Sequence, residues 1–251
     1  MARPLTSIQL YTLRDHLEND LASTVAKIAT IGFRAVEPYN FAVRAHELAE
    51  ALTAHGLVAP SGHAPLLSSD RDEIFRAARV LGITTIIDPH VPEERWASEE
   101  LIRQTAAELN AAAATGREWG IRVGYHNHWW EVATRIGDRT ALEVLTDYLE
   151  PDVVLEVDTY WAAVAGADVP ALLERLGSRV TLIHVKDGPA TREPKDQVAV
   201  GSGVLDIEAI VRAAQHLEAR VVELDATRGD MFEAVAQSFA YLQSLEQETA
   251  R

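Results

Sequence analysis

The sequence contains no cysteine. That excludes disulfides, thiolate metal sites and a cysteine nucleophile, and it accords with a cytoplasmic location. No run approaches the ~18–20 apolar residues that a membrane-spanning helix needs, so no membrane partner is expected. The opening MARPLTSIQLYTLRD lacks the long apolar stretch of a secretory signal, and none is expected. Basic residues are scarce: 23 Lys+Arg stand against 38 Asp+Glu, a formal charge of −15. They form no local cluster, so a phosphate backbone is repelled and nucleic acid is not an expected partner. No Gly-x-Ser-x-Gly elbow is present, which disfavours an acyl-enzyme mechanism. The glycines of VGSGVLD (Val200–Asp206) lack the third glycine and the preceding short strand of a dinucleotide loop. That segment reads instead as a flexible lid, capped into the next helix by Asp206. Nor does any Pro/Gly/Ser-rich linker divide the chain, and residues 1–251 are read as a single domain.

What is present is a regular alternation. With 251 residues, 47% of them apolar, the chain can bury a large core. Short apolar or β-branched runs occur at Ser7–Tyr11, Arg34–Pro38, Val58–Gly62, Thr84–Asp88, Arg122–His126, Val153–Asp158, Val180–Val185 and Val221–Leu224. They are apolar almost throughout, as strands covered on both faces should be. Between them lie helical stretches at Asp20–Thr30, Arg44–His55, Asp70–Leu81, Ser98–Trp119, Arg139–Leu149, Asp168–Leu176, Asp206–His216 and Met231–Glu246. The first four end before a glycine, the residue that stops helices in a left-handed turn. Asp70, Ser98, Asp168 and Asp206 are suited to cap helix starts. Eight βα units in about 250 residues predict a closed (β/α)8 TIM barrel. The doubly wound open sheet is the alternative, but SIQLYTLRD lacks its Gly-rich first turn.

A barrel of this kind carries its chemistry on the rim formed by the carboxyl ends of the strands. Polar residues collect there: Gln9, Glu37, His63, Asp88, His90, His126, His128, Glu131, Asp158, His184, Lys186, Glu223 and Asp225. Five of the nine histidines fall at these positions. GYHNHWWEV (Gly124–Val132) is the densest stretch, and His126 and His128, two apart, face one side of an extended strand. Imidazoles and carboxylates together suit Mn²⁺, Zn²⁺, Co²⁺ or Fe²⁺. Each residue also has a plainer reading: a hydrogen-bonded histidine beneath tryptophans, a helix-capping Asp158, a Lys186 salt-bridged to a strand-end acid. Glu223, a carboxylate inside an apolar strand, needs a partner, and a metal is a good one.

The segments SIQLYTLRD, GFRAVEPYN, GYHNHWWEV, IHVKD, GSGVLD and VVELD together resemble the sugar phosphate isomerase/epimerase superfamily with its xylose isomerase-like TIM barrel. The YHNHxxE pattern is similar to the branch of inosose dehydratase-like proteins and 3-keto-glycoside lyases. The resemblance implies one divalent metal, manganese foremost, with Zn²⁺, Co²⁺, Mg²⁺ or Fe²⁺ as alternatives. It also implies a sugar, keto-sugar or cyclitol substrate with its vicinal oxygens on that ion. By position Asp158, His184 and Glu223 match the family's metal aspartate, histidine and last-strand glutamate. His126 stands where epimerases usually carry a glutamate, so the fourth ligand is expected from Glu131, with His126 or His128 as alternatives. Trp161 stands where many members carry a further histidine. His126 or His128 is then the expected base, and Lys186 the acid or the partner of an oxyanion. Gln9, Glu37 and His63 are expected to bind hydroxyls, and Trp129, Trp130 and Trp161 to stack on the sugar ring. Isomerisation or epimerisation and elimination are both compatible with this set. A non-catalytic or partner-dependent subunit, in a homo-oligomer or hetero-complex, is the contrasting reading. An apurinic-site endonuclease is disfavoured by the charge.

Overall fold

The computed structural model describes residues 3–249, so the outermost positions of the expected 1–251 domain lie outside the described residues. Eight parallel strands run β1 (Leu5–Gln9), β2 (Ala35–Glu37), β3 (Ser61–His63), β4 (Thr85–Asp88), β5 (Arg122–His126), β6 (Val154–Asp158), β7 (Val180–Val185) and β8 (Ala219–Val222). Each pairs with its sequence neighbour, and β8 pairs with β1. Between β2 and β3 the ladder is reduced to two parallel bridges, Ala35–Val58 and Tyr39–His63, which bring the sheet round into a TIM barrel. No helix among the described residues is long and apolar enough to cross a membrane.

The helices end where the sequence marks them. Asp70 accepts from the amides of Asp72 and Glu73, Ser98 from Leu101, Asp168 from Ala171 and Asp206 from Ala209. Gly82 and Gly120 take φ of 73° and 70°, left-handed turns in which a Cβ would be strained. Boundaries shift where side chains intervene. The first strand stops at Gln9 because its Oε1 accepts from the Tyr11 amide and starts a 3-10 turn. Around Pro60, which has no N–H to donate, the third strand is delayed to Ser61, while Val58 bridges to Ala35. Arg139 and Thr140 form half of a small antiparallel hairpin, so the helix after it begins at Ala141.

Two apolar regions result. The larger fills the space between the outer faces of the strands and the surrounding helices. The smaller lies inside the barrel, where Ile87, Val154, Leu182, Ala219 and Val221 make a floor. Side chains two residues further along each strand point to the same face, one layer higher. On β6 the order is therefore Val154, Glu156, Asp158; on β7 it is Leu182, His184, Lys186; on β8 it is Val221 followed by Glu223.

Candidate active site

Above the floor the barrel interior is charged and almost dry. Glu37, Glu156, Asp158 and His184 are fully buried, and Lys186, Glu223, His126 and His63 nearly so. His184 is the hub. Its Nε2 lies 2.8 Å from Glu37 Oε1 and 3.0 Å from Glu156 Oε2, while its Nδ1 is 2.6 Å from Glu223 Oε2. Burial alone would lower its pKa, but the Glu156 and Glu223 carboxylates outweigh that and raise it well above the usual value. His126 is the opposite case. Burial and the neighbouring His184 charge hold its pKa well below the ordinary histidine range, leaving a neutral ring. Burial and the charge of Glu156 push Glu37 up. Burial likewise opposes ionisation of Glu156, but His184 and His63 hold it well below the usual carboxylate range.

Two overlapping sets of ligand atoms lie within 4.8 Å of one another: His126, Asp158, His184 and Glu223, and, deeper, His63, His126, Glu156 and His184. The upper set faces the mouth. Asp158 divides its carboxylate: Oδ1 caps the helix Thr159–Val164 by accepting from the Trp161 amide at 2.8 Å, and buried Oδ2 faces Lys186 Nζ at 2.9 Å and His126 Nε2 at 3.7 Å. The helix-cap reading and the ligand reading of Asp158 are thus compatible, one oxygen for each. Two imidazoles and two carboxylates make a donor set that fits a divalent ion.

Glu131, the expected fourth ligand, is not brought to this set. Adjacent residues on a strand face opposite ways, and Glu131 pairs with Tyr125, which faces away from the barrel interior, rather than with His126. Tyr125 Oη donates to Glu131 Oε1 at 2.6 Å, and the His128 amide donates to Oε2 at 2.8 Å. His126 stands in its place in the upper set. His128 also departs from the strand alternation, because β5 ends at His126. Its ring stacks on Trp130 (4.2 Å between centroids, 7° between planes) and reaches the cavity.

That cavity, about 470 Å³, is lined by Tyr11, Tyr39, His63, His90, Trp161 and Asp225, together with His126, His128, Lys186 and Glu223. Gln9 and Glu37, expected to bind hydroxyls, lie instead behind His184: Gln9 Nε2 donates to Glu37 Oε1 at 3.0 Å, and both are fully buried. Trp129 does not line the cavity either; the Arg192 guanidinium covers its ring at 3.5 Å. Lys186 Nζ lies 2.9, 2.6 and 2.9 Å from Asp158, Glu223 and Asp225. Burial works against its charge, yet these three carboxylates hold its pKa well above the usual lysine value. So held, the ammonium stands between the upper ligand set and the cavity.

The family model of the xylose isomerase-like TIM barrel matches residues 25–245. The chain belongs to that family. No curated protein sequence matches it. Among solved structures, a sugar phosphate isomerase/epimerase from Parabacteroides distasonis superposes with a TM-score of 0.81 at 22% identity, over 97% of this chain and 94% of the other. The IolI protein with a bound zinc atom gives 0.72 at 14% identity, over 96% and 97%. A family 2 AP endonuclease from Brucella melitensis gives 0.70 at 18%, over 95% and 99%. At these identities the likeness is one of fold.

Within this xylose isomerase-like barrel, several residues that build the site went unread in the sequence. Glu156 carried the same signal as Glu223, a carboxylate inside the apolar run VVLEVD. Asn127 ties the end of β5 to β6, accepting from the Asp158 amide at 3.0 Å. The segment after β7 is not a flexible lid. Asp187 Oδ1 accepts from the amides of Gly188 and Leu205, and Oδ2 from those of Gly201 and Gly203, at 2.8–3.2 Å. This anchored loop places Gln197, fully buried, where its Nε2 donates to Asp225 Oδ2 at 2.7 Å.

Proposed function

We propose that this protein is a divalent-metal-dependent enzyme that abstracts a proton next to the carbonyl of an unphosphorylated keto-sugar or cyclitol. The outcome is isomerisation or epimerisation, or elimination from a 3-keto-glycoside or inosose. The observation that carries the reading is the convergence of His126, Asp158, His184 and Glu223 beneath a cavity of about 470 Å³ that His126 and Glu223 line. These four residues would hold the ion, with Mn²⁺ the first expectation and Zn²⁺, Co²⁺, Mg²⁺ or Fe²⁺ acceptable to the same donors. A bound ion supplies positive charge that lowers the cost of the negative charge developing beside the carbonyl.

His128 is the base in this reading. Its backbone is fixed by Glu131, its ring by Trp130, and it reaches the cavity beside His126. Trp161 offers an apolar face to the ring, and His63 and Asp225 offer hydrogen bonds to hydroxyls. Phosphate is excluded on charge. The cavity lining contains no arginine, and its one lysine already faces three carboxylates. The same charge pattern disfavours a nucleic-acid substrate.

The test is a panel of keto-sugars and inososes, each free and phosphorylated, incubated with Mn²⁺-loaded protein in D2O. Deuterium in returned sugar identifies isomerisation or epimerisation, and an unsaturated product identifies elimination. Turnover confined to phosphorylated substrates refutes the charge argument. Silence across the panel from metal-loaded protein refutes the enzyme reading in favour of a partner-dependent subunit. Metal analysis decides the ligand set: equal metal in wild type and in an Asp158→Ala/Glu223→Ala variant removes it. His128→Ala should keep its metal and lose roughly 10²–10⁴-fold in turnover.

A further inference from the structure

The deeper ligand set has a use that needs no second ion. We infer that Glu37 and Glu156 are positioning residues that fix which nitrogen of His184 and of His126 is presented to the upper ligand set, an inference that rests on the metal reading above. Each ring has one nitrogen on either side of the layer. His184 turns Nε2 toward Glu37 (2.8 Å) and Glu156 (3.0 Å), and Nδ1 toward Glu223 (2.6 Å). His126 turns Nδ1 toward Glu156 Oε2 (3.2 Å), and Nε2 toward Asp158 Oδ2 (3.7 Å). A metal takes an imidazole nitrogen only as a lone pair, so the proton of each neutral ring must sit on the inner side.

Among the described residues, Glu37 and Glu156 supply the acceptors there. His126 Nδ1 is buried and completes no hydrogen bond, and among the described residues the acceptor beside it is Glu156 Oε2, at 3.2 Å. Glu37 is itself held in place, receiving Gln9 Nε2 on Oε1 and the Ser61 hydroxyl on Oε2. Glu156 is steadied from the other flank by His63 Nε2 at 2.5 Å. A carboxylate behind a metal-binding histidine orients the ring and raises its basicity, and its loss typically costs 10–100-fold in metal affinity. Here two carboxylates behind two histidines do this in one dry layer. Glutamine is the discriminating replacement, because its single acceptor oxygen is accompanied by an NH2 that repels an imidazole N–H.

Co²⁺ titration of wild type, Glu37→Gln and Glu156→Gln, followed by visible absorption, tests this together with ¹⁵N NMR of the imidazoles in Zn²⁺-loaded wild type. The expected result is one equivalent in every protein, a Kd raised about 10–100-fold in each variant, and protons on His184 Nε2 and His126 Nδ1. Unchanged affinity in both variants, or protons on the opposite nitrogens, overturns the inference and leaves the metal site standing. Two equivalents in wild type with one lost in Glu156→Gln also overturns it, since Glu156 is then a ligand. No binding to wild type refutes the metal reading itself. Should a variant fail to fold by far-UV circular dichroism, the wild-type NMR alone decides.

Discussion

The floor of the barrel and the layer directly above it are built on the same strands, one side-chain repeat apart, and they are opposites. The floor is Ile87, Val154, Leu182, Ala219 and Val221, interchangeable in kind and held by packing. Two residues along, Glu156, His184 and Glu223 are equally dry but each depends on named partners. Losing a floor side chain leaves a hole, whereas losing a member of the upper layer leaves a buried charge without its counter-ion. The first cost scales with volume, the second with desolvation, and the second is harder to relieve by relaxation.

The sharpest way to break this comparison is His184→Leu. It extends the floor upward but takes away the imidazole that Glu37, Glu156 and Glu223 share, leaving Glu156 to His63 and Glu223 to Lys186, so the metal-free protein should lose about 3–5 kcal/mol in urea unfolding. An unchanged midpoint would mean the layer is not held by charge pairing. Gly124→Ala probes the floor from the opposite direction. A Cβ there would meet Ile87 Cδ1 at 2.5 Å and Val154 Cγ2 at 2.9 Å, so overpacking should cost about 1–3 kcal/mol. Stoichiometric metal binding should survive that change, and its loss would show that the two layers are not separable.

A pH-dependent effect concerns Asp88, at the end of β4, whose pKa burial raises from 3.8 to about 6 against the hydrogen bonds donated by the Leu67 and His90 amides. Its folded pKa exceeds the unfolded one, so the folded state holds the proton more tightly. The contribution is full below about pH 4 and is lost as pH rises to about 6. Asp88→Asn should remove that decline from a plot of unfolding free energy against pH, and an unaltered slope would assign the decline elsewhere.

Most of the barrel was legible because helix stops, caps and apolar strand runs are local signals, and Gly82, Asp70 and Ser98 act within their own turn. Asp158, His184 and Glu223 were legible because a polar residue ending an apolar strand has one inner rim to face. The side chain of Glu131 was not. Its face depends on where β5 stops, and Asn127 and His128 have already left the strand before Glu131 is reached. Gln9 and Glu37 were rightly placed on the inner face but not in depth, since alternation fixes a side and not a layer. The loop after β7 was misread because its glycines signal freedom locally, while the carboxylate that removes that freedom, Asp187, lies 14, 16 and 18 residues away from three of the amides it binds.

That carboxylate has a consequence for how the protein breathes. Amides of a glycine-containing loop ordinarily exchange with solvent in moments, yet those of Gly201, Gly203 and Leu205 are donors to one anchored acceptor. Their exchange is tied to a shared opening event, so they should become labelled together and late, with the tempo of a strand. A loop so anchored is finished before any substrate arrives, and through Gln197 it holds Asp225 ready at the cavity wall.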